Sequence, residues 1–143
     1  MSATTFVPVR EIMTRDPVCI EGLATVHQAL DLMKSRNISS VVVKRRDEQD
    51  EFGLLLIGDI AREVIGRNRP VSRTSVYEIM TKPAPALDAD MNIKYAVRHM
   101  GRLGLTHCLV LQARELVGLV TLRDLALRYL EGGDARPPGT AAG

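Results

Sequence analysis

Apolar residues at helical spacing mark two long helices. Val26, Ala29, Leu30 and Met33 fall at i, i+3, i+4 and i+7, and Ile93, Ala96, Val97 and Met100 repeat the pattern further on. Each set puts one apolar stripe on an otherwise polar segment, as in a helix with one face in a core. Thr25 with Gln28 predicts a capping box at the first start, and Asn92 takes the cap position in the second. Asn37 and Gly104 close the stripes; both residue types accept the left-handed backbone that stops a helix. Unbroken apolar runs follow, Val41-Val42-Val43 and Cys108-Leu109-Val110-Leu111, and predict strands buried on both faces. Polar segments at 44–51 and 112–115 read as hairpin turns, with Phe52 to Ile57 and Leu116 to Leu122 returning as partner strands. Final helices open near Asp59 and Asp124. They are expected to expose Ile60, Val64 and Ile65 in one case, and Leu125, Tyr129 and Leu130 in the other.

These patterns belong to an internal duplication. Glu11-Ile12-Met13-Thr14 returns as Glu78-Ile79-Met80-Thr81, a shift of 67 residues that also superposes the two helical stripes. A shift of 65 aligns Phe52-Gly53-Leu54 with Val117-Gly118-Leu119, and Asp59-Ile60-Ala61 with Asp124-Leu125-Ala126. The slip falls in a polar turn, where length changes at little cost. Ser75 with Glu78 reads as a capping box for a turn at 76–80, after which Pro83 and Pro85 force an extended path. The expected boundaries are a first unit at 1–67, a linker at 68–74 and a second unit at 75–131. Residues 132–143 are rich in Gly, Pro and Ala without apolar period, and disorder is expected there. A duplicated unit predicts a pseudo-symmetric interface whose crevice is the place to look for function.

Composition narrows the function classes. Hydrophobic residues make up 45% of 143 and aromatics 3%, so the core is aliphatic with Met and Ala. A net charge of +2 makes no case for a nucleic-acid or membrane surface. No apolar run reaches the length of a bilayer span, and the N-terminus lacks a secretory pattern, so a cytoplasmic location is expected. Cys19 and Cys108 occupy inequivalent repeat positions among apolar residues and read as small buried hydrophobes. No His, Cys, Asp or Glu spacing matches a metal site, and no catalytic set appears; an enzyme is not expected.

The element order, the repeat and the segment Leu116 to Leu125, with Thr121-x-x-Asp124 at its turn, resemble a CBS domain pair, or Bateman module, from about Val9 to about Leu130. The resemblance implies an α+β fold of tandem β-α-β-β-α units, packed sheet to sheet with pseudo-twofold symmetry. It implies clefts that take adenosine-containing ligands: AMP, ADP or ATP first, S-adenosylmethionine or NAD as alternatives. It also implies a homodimer formed through helices and a sensor that regulates another protein, with no cofactor required.

The residue chemistry agrees with such a ligand. Thr121 falls where a strand ends and a helix begins, so its hydroxyl joins unpaired backbone N–H groups that welcome a phosphate. Asp124 offers acceptors only, which suits the two hydroxyls of a ribose. The same spacing is also a plain helix cap, and the roles are compatible. Arg123, inside the turn, is a candidate phosphate partner. In the other repeat Leu56 replaces the threonine, so unequal clefts are expected, with Asp59 at the weaker one. By residue matching, the resemblance sets Thr121 and Asp124 against Thr14, Pro17, Val18, Cys19, Ile38, Ser39 and Ser40. It sets Asp59 against Thr81, Ala84, Ala86, Leu105, Thr106 and His107. Read alone, Val18, Cys19 and Ile38 are ordinary core residues. Arg62, Arg67, Arg69 and Arg73 form a basic stretch without an aromatic platform, so nucleic acid is not the expected partner. A ligand-free dimerisation or partner-binding module is the alternative.

Overall fold

The computed structural model describes residues 6–131; the expected disorder at 132–143 lies outside them. The chain divides into two compact units, Pro17–Pro85 and a split unit made of Met1–Asp16 with Ala86–Gly143. The sequence repeats and the packing units are therefore cut at different places. The Ile-Met-Thr turn that heads each repeat packs in the unit built by the body of the other.

The central unit, 17–85, holds β2 (Cys19–Ile20), α1 (Val26–Arg36), β3 (Ser40–Val43), β4 (Gly53–Leu56) and α2 (Ile57–Ile60). Its sheet has the order β2-β3-β4, with β2 parallel to β3 and β3 antiparallel to β4 in the register Ser40↔Leu56 to Val43↔Gly53. All four residues of β3 are buried, as an unbroken apolar run on a covered strand requires. Thr25 and Gln28 form the reciprocal cap, and Asn37 ends α1 at φ 54°. α2 widens into a π turn over Ala61–Ile65, which the sequence pattern did not foretell. Ile60 and Val64, expected on an exposed helix face, are instead fully buried with Met33 and Leu55. They lie four apart, so one face of the last turn carries both inward, and only Ile65 stays exposed.

The segment after α2 is built into this unit. Val26 donates its N–H to Thr74 O at 2.8 Å, and Val76 and Tyr77 donate to Ala24 O and Gly22 O at 2.8 and 3.0 Å. The Glu78 carboxylate accepts from Ser75 N at 2.9 Å and from Arg69 Nη2 at 2.6 Å. Leu54 and Thr81 exchange backbone hydrogen bonds of 2.9 Å. Met80 then lies on β4, its sulfur 2.8 Å from where a Cβ of residue 53 would stand, so a larger residue there would have to displace the Met80 side chain. Met13 lies on Gly118 in the same way in the split unit. That contact explains why the Met of the repeated turn and the Gly of the returning strand recur together.

The split unit holds β1 (Thr14–Arg15), β5 (Ala86–Asp88), α3 (Ile93–Leu103), β6 (His107–Gln112), β7 (Glu115–Thr121) and α4 (Leu122–Glu131). Its sheet runs β1-β7-β6-β5, with β5 parallel to β6 and the other pairs antiparallel. Ala113 and Arg114, at φ 50° and 67°, make the tight turn between β6 and β7. Asn92 caps α3 by accepting from Lys94 N at 3.2 Å, and Gly104 ends it at φ 67°. Met100, Val110 and Leu125 fill the core, so Leu125 joins the interior rather than an exposed helix face. Both cysteines are free, and burial pushes the Cys108 thiol up to about 11. No described helix is long and apolar enough to cross a membrane.

Candidate functional site

β7 ends at Thr121, and α4 starts at the next residue. Leu122 donates its N–H to Thr106 O at 2.9 Å, which ties the helix entry to the residue before β6. The strand register sets His107 opposite Thr121. Thr14, on the edge strand, lies opposite Leu119, two residues before Thr121. Residues two apart on a strand share a face, so Thr14 and Thr121 are on the same side of the sheet. Four polar side chains of the split unit thus gather at the head of α4: Thr106, His107, Thr121 and Asp124.

Thr121 Oγ1 accepts from Asp124 N at 3.0 Å, the expected cap. A hydroxyl has two acceptor sites and one donor, so this cap leaves its O–H free to donate. Asp124 has 42% of its side chain exposed, and its carboxylate stands 3.9 Å from the Arg123 guanidinium, itself 80% exposed. His107 is half-buried: burial lowers its pKa, and the Asp124 charge pulls the other way. Its Nδ1 lies 2.8 Å from Thr106 Oγ1. The head of a ten-residue helix adds backbone N–H groups and the positive end of its dipole. Side by side stand an acceptor pair for hydroxyl groups and a set of donors for an anion.

The matching point of the central unit is built differently. Ile57 N donates to Ser39 O at 2.9 Å, the counterpart of the Leu122–Thr106 bond. Leu56 gives α2 no side-chain cap, as its apolar side chain dictates. Asp59 is engaged by its own helix, accepting from Arg62 Nη2 at 2.8 Å. Ser40 is buried opposite Leu56. Thr81 pairs with Leu54, but Ala84 donates to Phe52 O at 2.8 Å, at the end of β4 away from Asp59.

The residues proposed from the sequence therefore fall into two sets. Thr14, Ala86, Leu105, Thr106, His107, Thr121, Arg123 and Asp124 belong to the split unit; Pro17, Val18, Cys19, Ile38, Ser39, Ser40, Asp59, Thr81 and Ala84 belong to the central unit. The resemblance matches Thr106 and His107 to Asp59; within the split unit the β6–β7 hairpin makes them neighbours of Thr121. Counting back from the Ala113-Arg114 turn would have found this pairing. Among the described residues no group of three His, Cys, Asp or Glu side chains is placed to hold a metal ion.

The CBS domain family model matches residues 9–66 and 76–131. An uncharacterized 33.4 kDa protein in a ribosomal RNA operon of Thermofilum pendens is 28% identical over 134 residues, which cover 87% of this chain and 44% of that protein. The chain thus spans less than half of that relative's length. A CBS domain-containing protein of Bacillus subtilis is 25% identical over 127 residues, 89% of each chain. The solved structure of a hexameric CBS-CP12 protein from bloom-forming cyanobacteria is similar at a TM-score of 0.84 and 29% identity, over 89% of this chain and 75% of that one.

Proposed function

This chain belongs to the CBS domain family, and on that premise we propose that it is a regulatory module sensing an adenine nucleotide at the head of α4. The observation that carries this reading is the gathering of Asp124 with Thr121, Thr106 and His107. Asp124 accepts from the ribose hydroxyls. The Thr121 O–H, the first amides of α4 and Arg123 meet the α-phosphate. AMP, ADP and ATP share these groups and are the first ligands to test, with S-adenosylmethionine and NAD behind them. A protein partner reads the liganded state, and the signal available to it is the difference in ligand affinity between the states it distinguishes. Asp59, already held by Arg62, makes the weaker site.

Thermal unfolding of the full chain with each ligand at millimolar concentration tests this. A ligand at a hundredfold excess over its Kd stabilises by about 2.7 kcal/mol. The absence of a shift with all five would overturn the reading.

One observation favours a second function, ligand-independent assembly. The groove between α3 and α4 encloses about 310 Å³ against Val97, Ala126 and Tyr129. Leu103, Leu127 and Leu130 stand exposed on the same two helices. A homodimer that covers this face fits the hexameric state of the cyanobacterial relative, in which assembly is also a property of the protein. Light scattering of the ligand-free chain, with Leu127→Glu as the disrupting variant, decides it: a monomer before the substitution removes this reading.

A further inference from the structure

The central sheet has a second end. Asp59 follows the Ser40–Leu56 end, whereas beyond Val43, at the other, a cavity of about 520 Å³ opens. Its walls are Leu23, Val43, Tyr77 and Met80. Leu23 is 83% exposed and Tyr77 53%, so two large apolar side chains of one opening face solvent.

The duplication supplies an internal control. The shift of 67 residues carries Leu23 onto Asp90 and Arg10 onto Tyr77. The backbone frame is the same in both units: Tyr77 N donates to Gly22 O and Arg10 N to Ala89 O, each at 3.0 Å. On that frame the split unit sets an Arg10–Asp90 ion pair. The central unit sets leucine and tyrosine there, around an open volume. An ion pair needs nothing further, whereas exposed apolar side chains around a concavity gain from a molecule that removes them from water.

The rim states the charge of that molecule. Lys82 Nζ lies 2.8 Å from the Asp50 carboxylate, with both side chains largely covered, so that cation is committed. Arg46 Nε lies 3.3 Å from the same carboxylate, its side chain reaching into solvent. Lys44 Nζ is 3.2 Å from Glu21, but the two side chains are 53% and 71% exposed. Such a pair holds weakly in water and exchanges readily for a better anion.

We propose that this cavity is a second ligand site, separate from the head of α4, for a small amphipathic anion. Its apolar or aromatic body lies against Leu23, Val43, Tyr77 and Met80, and its single anionic group takes Lys44 from Glu21. The volume is ordinary for a small-molecule site, for which about 300–1,000 Å³ is typical.

Anilinonaphthalene sulfonate, an aromatic body with one sulfonate, is the probe, titrated into the full chain by fluorescence. Saturable binding of one probe per chain is expected, with amide NMR shifts centred on Gly22, Leu23 and Lys44. The double variant Leu23→Asp/Tyr77→Arg writes the other unit's ion pair into this one and should weaken binding by roughly tenfold or more. Lys44→Gln, a surface change that leaves the fold intact, should weaken the sulfonate but not its uncharged analogue phenylnaphthylamine. Should the double variant fail to fold by circular dichroism, the Lys44 arm decides. Non-saturating fluorescence, amide shifts elsewhere, indifference to Lys44→Gln, or displacement of the probe by AMP would each overturn the proposal.

Discussion

At the head of α4, Thr121 accepts the Asp124 amide and keeps a proton to donate. At the head of α2, Leu56 offers nothing, and Asp59 is taken by Arg62. The backbone bonds that place these two helix heads are equivalent, Leu122–Thr106 and Ile57–Ser39, both 2.9 Å. Duplication has kept the frame and let the side chains diverge. The same holds at the other end of each sheet, where Arg10 and Asp90 face Tyr77 and Leu23 as counterparts. Equivalent backbone thus does not imply equivalent chemistry: the two units differ in side chains at both ends of their sheets.

The comparison breaks first if the cores are unequal. Met33 and Met100 occupy matching positions, each at most 1% exposed. Met33→Ala and Met100→Ala should each cost about 2–5 kcal/mol by urea unfolding. A large gap between the two would show that the frames are not alike. Next comes the ligand response. Asp124→Ala should abolish the AMP-induced stabilisation, about 2.7 kcal/mol at a hundredfold excess over Kd, whereas Asp59→Ala should leave most of it. The reverse ranking would put the main site in the central unit. Swapping the caps is gentler: Thr121→Val should lose about 1 kcal/mol and Leu56→Thr gain a similar amount, read as opposite shifts in Tm.

The smallest effect concerns pH. Burial holds the His107 pKa below its ordinary value, against the pull of Asp124. The unfolded chain therefore takes up a proton first as the pH falls below about 6.5. Stability from this residue is complete above that value and declines as the pH drops toward the folded pKa. His107→Gln should flatten the decline between pH 7 and 5. An unchanged slope would assign the acid sensitivity to other groups.

Much of the frame was legible in the chain. The stripes at Val26–Met33 and Ile93–Met100, their caps and their left-handed stops needed only local rules, and each is realised. Thr121 and Asp124 were legible because a helix start is also a local event. What escaped depends on tertiary partners. Whether Ile60, Val64 and Leu125 face outward or inward is settled by what packs over them, not by their spacing. Likewise, His107 belongs to Thr121 through a hairpin register, and that is set by a turn without glycine at Ala113-Arg114. The cavity beside Tyr77 was invisible because Leu23, Lys44 and Tyr77 lie far apart in sequence and look like unrelated surface residues.

The split unit combines segments on either side of the central one, and this sets an order of events. Pro17–Pro85 is contiguous, so every segment of this unit is made before Met91. Val9, which bonds Met91, must wait for a segment some eighty residues later to be synthesised. Val9 is thus made well before the segment it packs against. Until then the buried faces of Val7 and Val9 stay open to chaperones or to a neighbouring nascent copy, and a truncation after Pro85 should leave them there for good.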